Sequence, residues 1–505
     1  MKKSGVLLHI SSLPGEYGIG TLGAEAHKFV DFLQAAGQSF WQVLPVCPTG
    51  YGDSPYQSFS CEAGNPYFID LPRLAGQGLL EENEYADICW GRDPSRVDYG
   101  ILYRERNGIL KRAARRFLEH PTAEHHTFLK ENAFWIHDYA IFMVLKEQNG
   151  GSPWYQWDTP LKDREQTALD TFCKTNAEEI RVWQAIQYFF FCQWYELKNY
   201  ANQRGISIIG DLPIYVSPDS ASVWANRPLF QLDSDGMPTE VAGCPPDGFS
   251  AEGQLWGNPL YDWDYMKRDG YAWWVGRIDY LCSLFDILRI DHFRGFESYY
   301  AIPCGESSAR RGIWRPGPGI DLFRSLRDSV GEKNIIAENL GYLTPAVEDL
   351  LSQSGYPGMR LLQFCFDTRD ADGGSCLPDS FEEHCVAYIG THDNDTALGW
   401  LTSARPEDAA RAKETMQLTG AESAAWGMLR TLWSTKAKTT IAQAQDLLEL
   451  GSEARMNTPS TQCGNWVWRA LPGSFTPALA AKLRDLTRTY HRLNKNETPA
   501  PPRGH

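Results

Sequence analysis

No two of the twelve cysteines are spaced Cys-x-x-Cys, which leaves zinc ribbons and dithiol redox motifs without support. No stretch reaches the roughly 18 apolar residues that a membrane-spanning helix needs. Positive charge is short: 48 Lys and Arg stand against 63 Asp and Glu, a net charge of −15. That balance argues against nucleic acid, whose binding rests on displacing counterions with basic patches, and against anionic membrane surfaces. Neither His-Glu-x-x-His nor Gly-x-Ser-x-Gly occurs, so zinc-protease and lipase-like readings lose their motifs. Internal repeats are absent. The first residues, Met1 to Ile10, are basic and then briefly apolar. The run is too short for a signal peptide and leads into Ser11, Ser12 and Pro14. With free thiols expected as well, a cytoplasmic location is the expectation.

Aromatic residues, in contrast, are plentiful at 13%, with 18 tryptophans. Many sit beside Gly, Pro, Asn or Asp, as in Trp256-Gly-Asn-Pro259 and Tyr51-Gly-Asp-Ser-Pro-Tyr56. Core packing does not explain aromatics in such loop-forming company. Aromatic walls with a few placed polar groups suit ligands with flat apolar faces and a hydroxyl rim, such as sugars. Two partial motifs compete. Gly18-Ile-Gly20-Thr-Leu-Gly23 matches a nucleotide fingerprint, but it is separated from the preceding strand by a Pro-containing loop and reads as plain loop. Asp233-Ser-Asp235-Gly236 lacks the bidentate Glu spacing of a calcium loop, so no metal is expected.

Seven short apolar runs read as buried strands: 5–9, 40–46, 206–212, 284–290, 334–338, 360–366 and 386–390. Helical patterns lie between many of them, at 24–36, 182–203, 271–285 and 321–330. Strand–helix alternation implies βαβ units and a parallel sheet. Seven strands approach the eight of a closed barrel, and the eighth is placed near Asn465–Arg469. The expectation is an α/β protein, a (β/α)8 TIM barrel with inserted subdomains, built from 1–73 and 171–493. A mainly helical insertion occupies 74–170, and a Gly/Pro/Asp-rich loop or small subdomain at 230–264 lies over the site. A disordered tail is expected from Asn494 onward.

Four of these strands run into a carboxylate: Asp211, Asp291, Glu338 and Asp393. In a barrel, groups at the C-terminal strand ends do the chemistry. One such carboxylate is ordinarily a helix cap or turn former. Four together need a reason, because like charges raise one another's pKa. Retaining glycosyl transfer supplies one, with an ionised nucleophile and a protonated acid roughly 5–5.5 Å apart. Arg289, two residues before Asp291, shares its strand face and is expected to keep Asp291 ionised.

Arg289-Ile-Asp-His-Phe-Arg-Gly295, Ala337-Glu-Asn-Leu-Gly341 and Gly390-Thr-His-Asp-Asn-Asp-Thr396 resemble the signature segments of the 4-α-glucanotransferases. These are the amylomaltases, or disproportionating enzymes, of glycoside hydrolase family 77. Ser4–His9, Trp41–Pro45, Thr49–Gln57, Gly253–Trp263, Met456–Pro459 and Gly464–Trp466 resemble further segments of that family, so the likeness spans nearly the whole chain. The resemblance implies a barrel without an organic cofactor, Asp291 as nucleophile, Glu338 as acid/base and Asp393 as a third carboxylate that binds sugar hydroxyls. It places Asp211, Arg289 and His392 around the reacting sugar, and Ser54, Tyr56, Gln254, Trp256 and Asn465 along the glucan groove. It implies maltooligosaccharides, amylose or glycogen-derived glucans as substrates and glucose as an acceptor. Asp211-Leu-Pro-Ile-Tyr-Val216 lacks the Asn-His pair of the related α-amylases, which favours transfer. Ser460 stands where the family leads one to expect Gly, and Ala397 where Thr is frequent. An α-glucan hydrolase using the same carboxylates, and a starch- or glycogen-binding protein with a dead barrel, are the competing readings.

Overall fold

The computed structural model describes residues 1–494 apart from 51, 247–251, 342, 368–376, 421 and 462. Eight short strands form one parallel sheet: β1 (Lys3–Leu7), β2 (Phe40–Gln42), β3 (Ser207–Leu212), β4 (Ile287–Ile290), β5 (Ile335–Ala337), β6 (Gly358–Leu361), β7 (Cys385–Tyr388) and β8 (Thr439–Gln443). Pairing runs β6-β7-β8-β1-β2-β3-β4-β5. At the remaining seam, between β5 and β6, the Ala337 N–H donates to Pro357 O at 3.0 Å. Beside it the Met359 N–H donates to Asn339 Oδ1 at 2.7 Å. Gly358 is needed there, since a Cβ would lie 2.7 Å from that same Oδ1. The sheet is thus a (β/α)8 barrel, as expected.

Side chains fill the barrel interior. Leu7, Phe40, Ile209, Ile336, Met359, Leu361, Val386, Tyr388 and Ile441 form one cluster, drawn from seven of the eight strands. Gly5 lets β1 and β2 approach, because a Cβ there would stand 2.5 Å from the Phe40 Cβ. Outside, helices cover the strands with apolar stripes. Ala24–Ala35 buries Ala26, Phe29, Val30 and Leu33 at the spacing of one helix face.

The eighth strand corrects the expectation. Thr439–Gln443 pairs with β1 on one side and β7 on the other. Its two Thr, one Ala and one Gln do not read as an apolar run, yet both faces are buried. Residues 465–469 make only an isolated antiparallel bridge, Arg96 to Trp468. Gly464 and Trp466 both take positive φ, of 83° and 63°, so the chain there turns instead of extending.

Between β2 and β3 the chain is mostly helical, from Leu71–Gly76 to the long helix Ala177–Gln203. Between β3 and β5, four strands form an antiparallel sheet in the order Gln254–Pro259, Glu240–Cys244, Ser298–Pro303, Ile313–Pro316. Two loops singled out by sequence have structural roles. In Gly18–Gly23, a Cβ on Gly20 would lie 1.9 Å from Ile10 O, and one on Gly23 2.0 Å from the Asp70 carboxylate. These glycines serve close packing. Asp233 Oδ1 accepts the N–H groups of Asp235 and Met237, both at 2.9 Å, and forms a turn. Of the expected tail, Asn494 is held, its amide donating to the carbonyls of Gln38 and Gly205 at 3.1 and 2.7 Å. Residues 495–505 lie outside the described residues.

Candidate active site

The C-terminal ends of β3, β4 and β5 carry three carboxylates side by side because the backbone ladder continues past the strands. The Asp291 N–H donates to Leu212 O at 2.9 Å, and the Glu338 N–H donates to Ile290 O at 3.0 Å. Asp211 lies opposite Arg289 in the β3–β4 register. Arg289 is 2% exposed and ties the three acids together. Its Nη1 meets both Asp211 oxygens, at 2.7 and 2.6 Å. Its Nη2 lies 2.8 Å from Glu338 Oε2 and 3.1 Å from Asp291 Oδ1. A planar fork with several donors can serve this geometry, and an ammonium cannot serve it equally.

His292 completes the cradle. It takes a left-handed conformation, φ 51° and ψ 49°, rare for a residue with a Cβ. That turn brings its backbone N–H to 2.8 Å from Glu338 Oε2. Sequence reasoning missed this group because it is a backbone donor, visible only from the turn.

The two acids are shifted in opposite directions. Burial pushes Asp291 well above the usual aspartate range, and the neighbouring Glu338 charge adds to that push against the opposing pull of Arg289. Burial also acts to raise Glu338, but Arg289, a hydrogen bond from Asp291 and the His292 N–H outweigh it and leave Glu338 below its ordinary value. Burial and the Glu338 charge favour the protonated form of Asp291, while Arg289 and the His292 N–H favour charge on Glu338. Arg289 Nη2 lies nearer to Glu338 Oε2 than to Asp291 Oδ1, and its pull favours charge on Glu338.

Tyr56 reaches the cluster from another loop, donating its hydroxyl to Asp211 Oδ2 at 2.7 Å. Its ring stacks on His392, with centroids 5.2 Å apart and planes 12° apart. His392 and Asp393 follow β7, with His392 Nε2 3.4 Å from Asp393 Oδ1. Trp466 leans on both Tyr56 and His392, at 5.7 and 5.9 Å. On the opposite side Trp256 stands edge-to-face on His292, at 4.8 Å and 88°. Its indole N–H donates to Gln254 Oε1 at 3.1 Å. Gln57, which sequence reasoning passed over, fixes that strand by donating to Asn258 Oδ1 at 3.1 Å and Trp256 O at 3.4 Å.

Asp211, Arg289, Asp291, Glu338, Tyr56, His392, Asp393, Gln254 and Trp256 are thus joined by one run of contacts at the C-terminal strand ends. Ser54 and Asn465 bond within their own loops. Ser54 Oγ accepts the Tyr56 N–H at 3.2 Å, and Asn465 Oδ1 accepts the Thr458 N–H at 2.9 Å. Two carboxyls that meet at one Arg289 nitrogen are closer than the roughly 6.5–9.5 Å that an inverting glycosidase leaves for water. The arrangement can attack and protonate one bond from two sides, against aromatic walls.

Residues 8–473 match a family model described as 4-alpha-glucanotransferase. A 4-alpha-glucanotransferase of Clostridium butyricum is 45% identical over 487 residues, which covers 96% of this chain and 100% of that protein. One of Thermus thermophilus is 46% identical over 500 residues, covering 97% and 99%. Among solved structures, an amylomaltase from Streptococcus agalactiae in complex with acarbose superposes with a TM-score of 0.95 at 43% identity, covering 97% of this chain and 100% of that one.

Proposed function

The chain belongs to the 4-alpha-glucanotransferase family, and from that premise we propose how its cleft moves α-1,4-glucan segments from one chain to another by a retaining double displacement. The enzyme is a 4-α-glucanotransferase, and its substrates are α-glucans. The donor's glycosidic oxygen, an acceptor, arrives at Glu338, while positive charge develops at the anomeric carbon beside Asp291. Both changes favour moving the shared proton from Asp291 to Glu338. An Asp291 oxygen then attacks the anomeric carbon. The C1–O4 bond breaks, its electron pair goes to the leaving oxygen, and that oxygen takes the Glu338 proton. The reducing-end fragment departs, and the rest is held as a β-linked ester on Asp291. A 4-hydroxyl of glucose or of another glucan attacks C1, gives its proton to Glu338, and frees the Asp291 carboxylate. Inversion occurs twice, so the α configuration is kept.

Asp393 accepts hydroxyls of the reacting ring, and Tyr56, Trp256 and Trp466 supply apolar faces for neighbouring sugars. Transfer requires that an acceptor exclude water from the ester, and Trp256 over His292 is placed for that. The observation that carries the retaining reading is the meeting of Asp291 and Glu338 at one Arg289 nitrogen.

The test is incubation with maltotriose alone, following product lengths and total reducing ends. Glucose plus longer oligomers at constant reducing ends is expected. Rising reducing ends without longer products would instead mean hydrolysis. Asp291→Asn is expected to abolish turnover in a folded protein, and activity near wild type would sink the assignment.

A further inference from the structure

The carboxylate of Asp393 is held from outside its own turn. Its side chain is 43% exposed, so packing alone does not orient it. A segment far along the chain, Arg455 to Asn457, grips it instead. Asn457 Nδ2 donates to Asp393 Oδ1 at 2.7 Å. The Asn457 N–H donates to His392 O at 3.1 Å. The Arg455 guanidinium bridges the two segments, with Nη2 donating to Asp393 O at 2.6 Å and Nε donating to Asn457 O at 2.7 Å. The backbone is thus secured by Arg455 and the Asn457 N–H. Among the described residues, the Asn457 amide and the His392 ring act on the carboxylate, and both act on Oδ1.

Resting on the reading that Asp393 binds the reacting sugar, we propose that Asn457 is a positioning residue for that carboxylate. It occupies Oδ1 and fixes the rotation of the group, so that Oδ2 meets the sugar hydroxyls. The same segment connects to the groove: the Trp466 N–H donates to Met456 O at 2.7 Å, and Trp466 touches Tyr56 and His392. Asn457 therefore joins the loop that walls the groove to the group that holds the reacting ring. Interactions that tighten only as the ring distorts act on kcat more than on KM.

The experiment compares Asn457→Ala, Asn457→Asp and Asp393→Asn on maltotriose. Asn457→Ala frees the carboxylate but keeps the Arg455 contacts. Its kcat is expected to fall at least about tenfold, as misplacement of a catalytic-site group does, with KM within about threefold. Asn457→Asp keeps size and puts a second carboxylate against Oδ1. The two acids must then share a proton, and the acid limb of kcat moves up by about one pH unit or more. His392, Arg455 and Tyr56 also face Asp393 and are unchanged in both variants. A purely structural Asn457 would lower thermal stability without moving that limb, and this result would overturn the proposal. So would a kcat for Asn457→Ala within twofold of wild type while Asp393→Asn is inactive. If Asp393→Asn itself keeps full activity, the reading of Asp393 fails first, independently of Asn457.

Discussion

Asp291 and Glu338 are coupled, and in the proposed mechanism the active form carries one proton between them. On the acid side that form is lost when Glu338 takes a second proton, which its contacts with Arg289 and the His292 N–H delay to below its usual range. On the alkaline side it is lost when the proton on Asp291 leaves, well above the usual aspartate range. The profile of kcat/KM, which reports the free enzyme, is therefore expected to be broad. An alkaline limb within the ordinary carboxylate range would place the proton elsewhere. Arg289→Lys, with fewer directed donors for three acids, is expected to move the acid limb upward. Another residue-scale feature is Ser460, whose φ is +65°. The left-handed region costs an L-residue roughly 1–2 kcal/mol, so Gly would fit this position with less strain than Ser.

At the scale of elements, Asp446 shows how the end of one barrel unit fixes the start of another. It lies just after β8 and is 1% exposed. Its Oδ1 accepts the Ala397 N–H at 2.7 Å, the first residue of the helix Ala397–Ser403. Its Oδ2 has no hydrogen-bond partner among the described residues. Burial raises its pKa to about 7. Because the folded value lies above the unfolded one, near 4, the folded state alone keeps the proton between them. Stability is then lost as pH rises from about 4 to 7. Asp446→Asn keeps the acceptor and carries no charge. Its thermal midpoint is expected to exceed wild type at pH 8 and to match it at pH 4. Equal midpoints at both values would mean that Asp446 is not protonated in the fold. The antiparallel sheet makes the same point without charge: Gly243 has no room for a Cβ, which would lie 2.2 Å from Gln254 O, so the strand carrying Trp256 can close on its neighbour.

Over the whole molecule, the barrel must join its last strand to its first, and Arg492 closes that join. It is fully buried and donates to the carbonyls of Trp433, Thr435, Ala437 and Lys3 at 2.8, 2.9, 2.9 and 3.3 Å. Arg492→Met removes every one of these donors, and the expected loss is about 3 kcal/mol or more, read by urea unfolding. An unchanged midpoint would show that the carbonyls find other donors. The chain also separates what was legible from what was not. Sequence alone determined the strand–helix alternation, seven strands, and the acids at their ends, because apolar runs and flanking carboxylates are local patterns. It determined the family as well, because Arg289–Gly295, Ala337–Gly341 and Gly390–Thr396 are contiguous segments. Tertiary structure alone decided the rest. Thr439–Gln443 is a strand because β1 and β7 bury it, not because its residues are apolar. Asp291 is pushed up and Glu338 down because burial and the distances of Arg289 and the His292 N–H act on them differently. Asn457 reaches Asp393 across 64 positions, and charge and contact over such separations depend on distance in space, which no local pattern encodes.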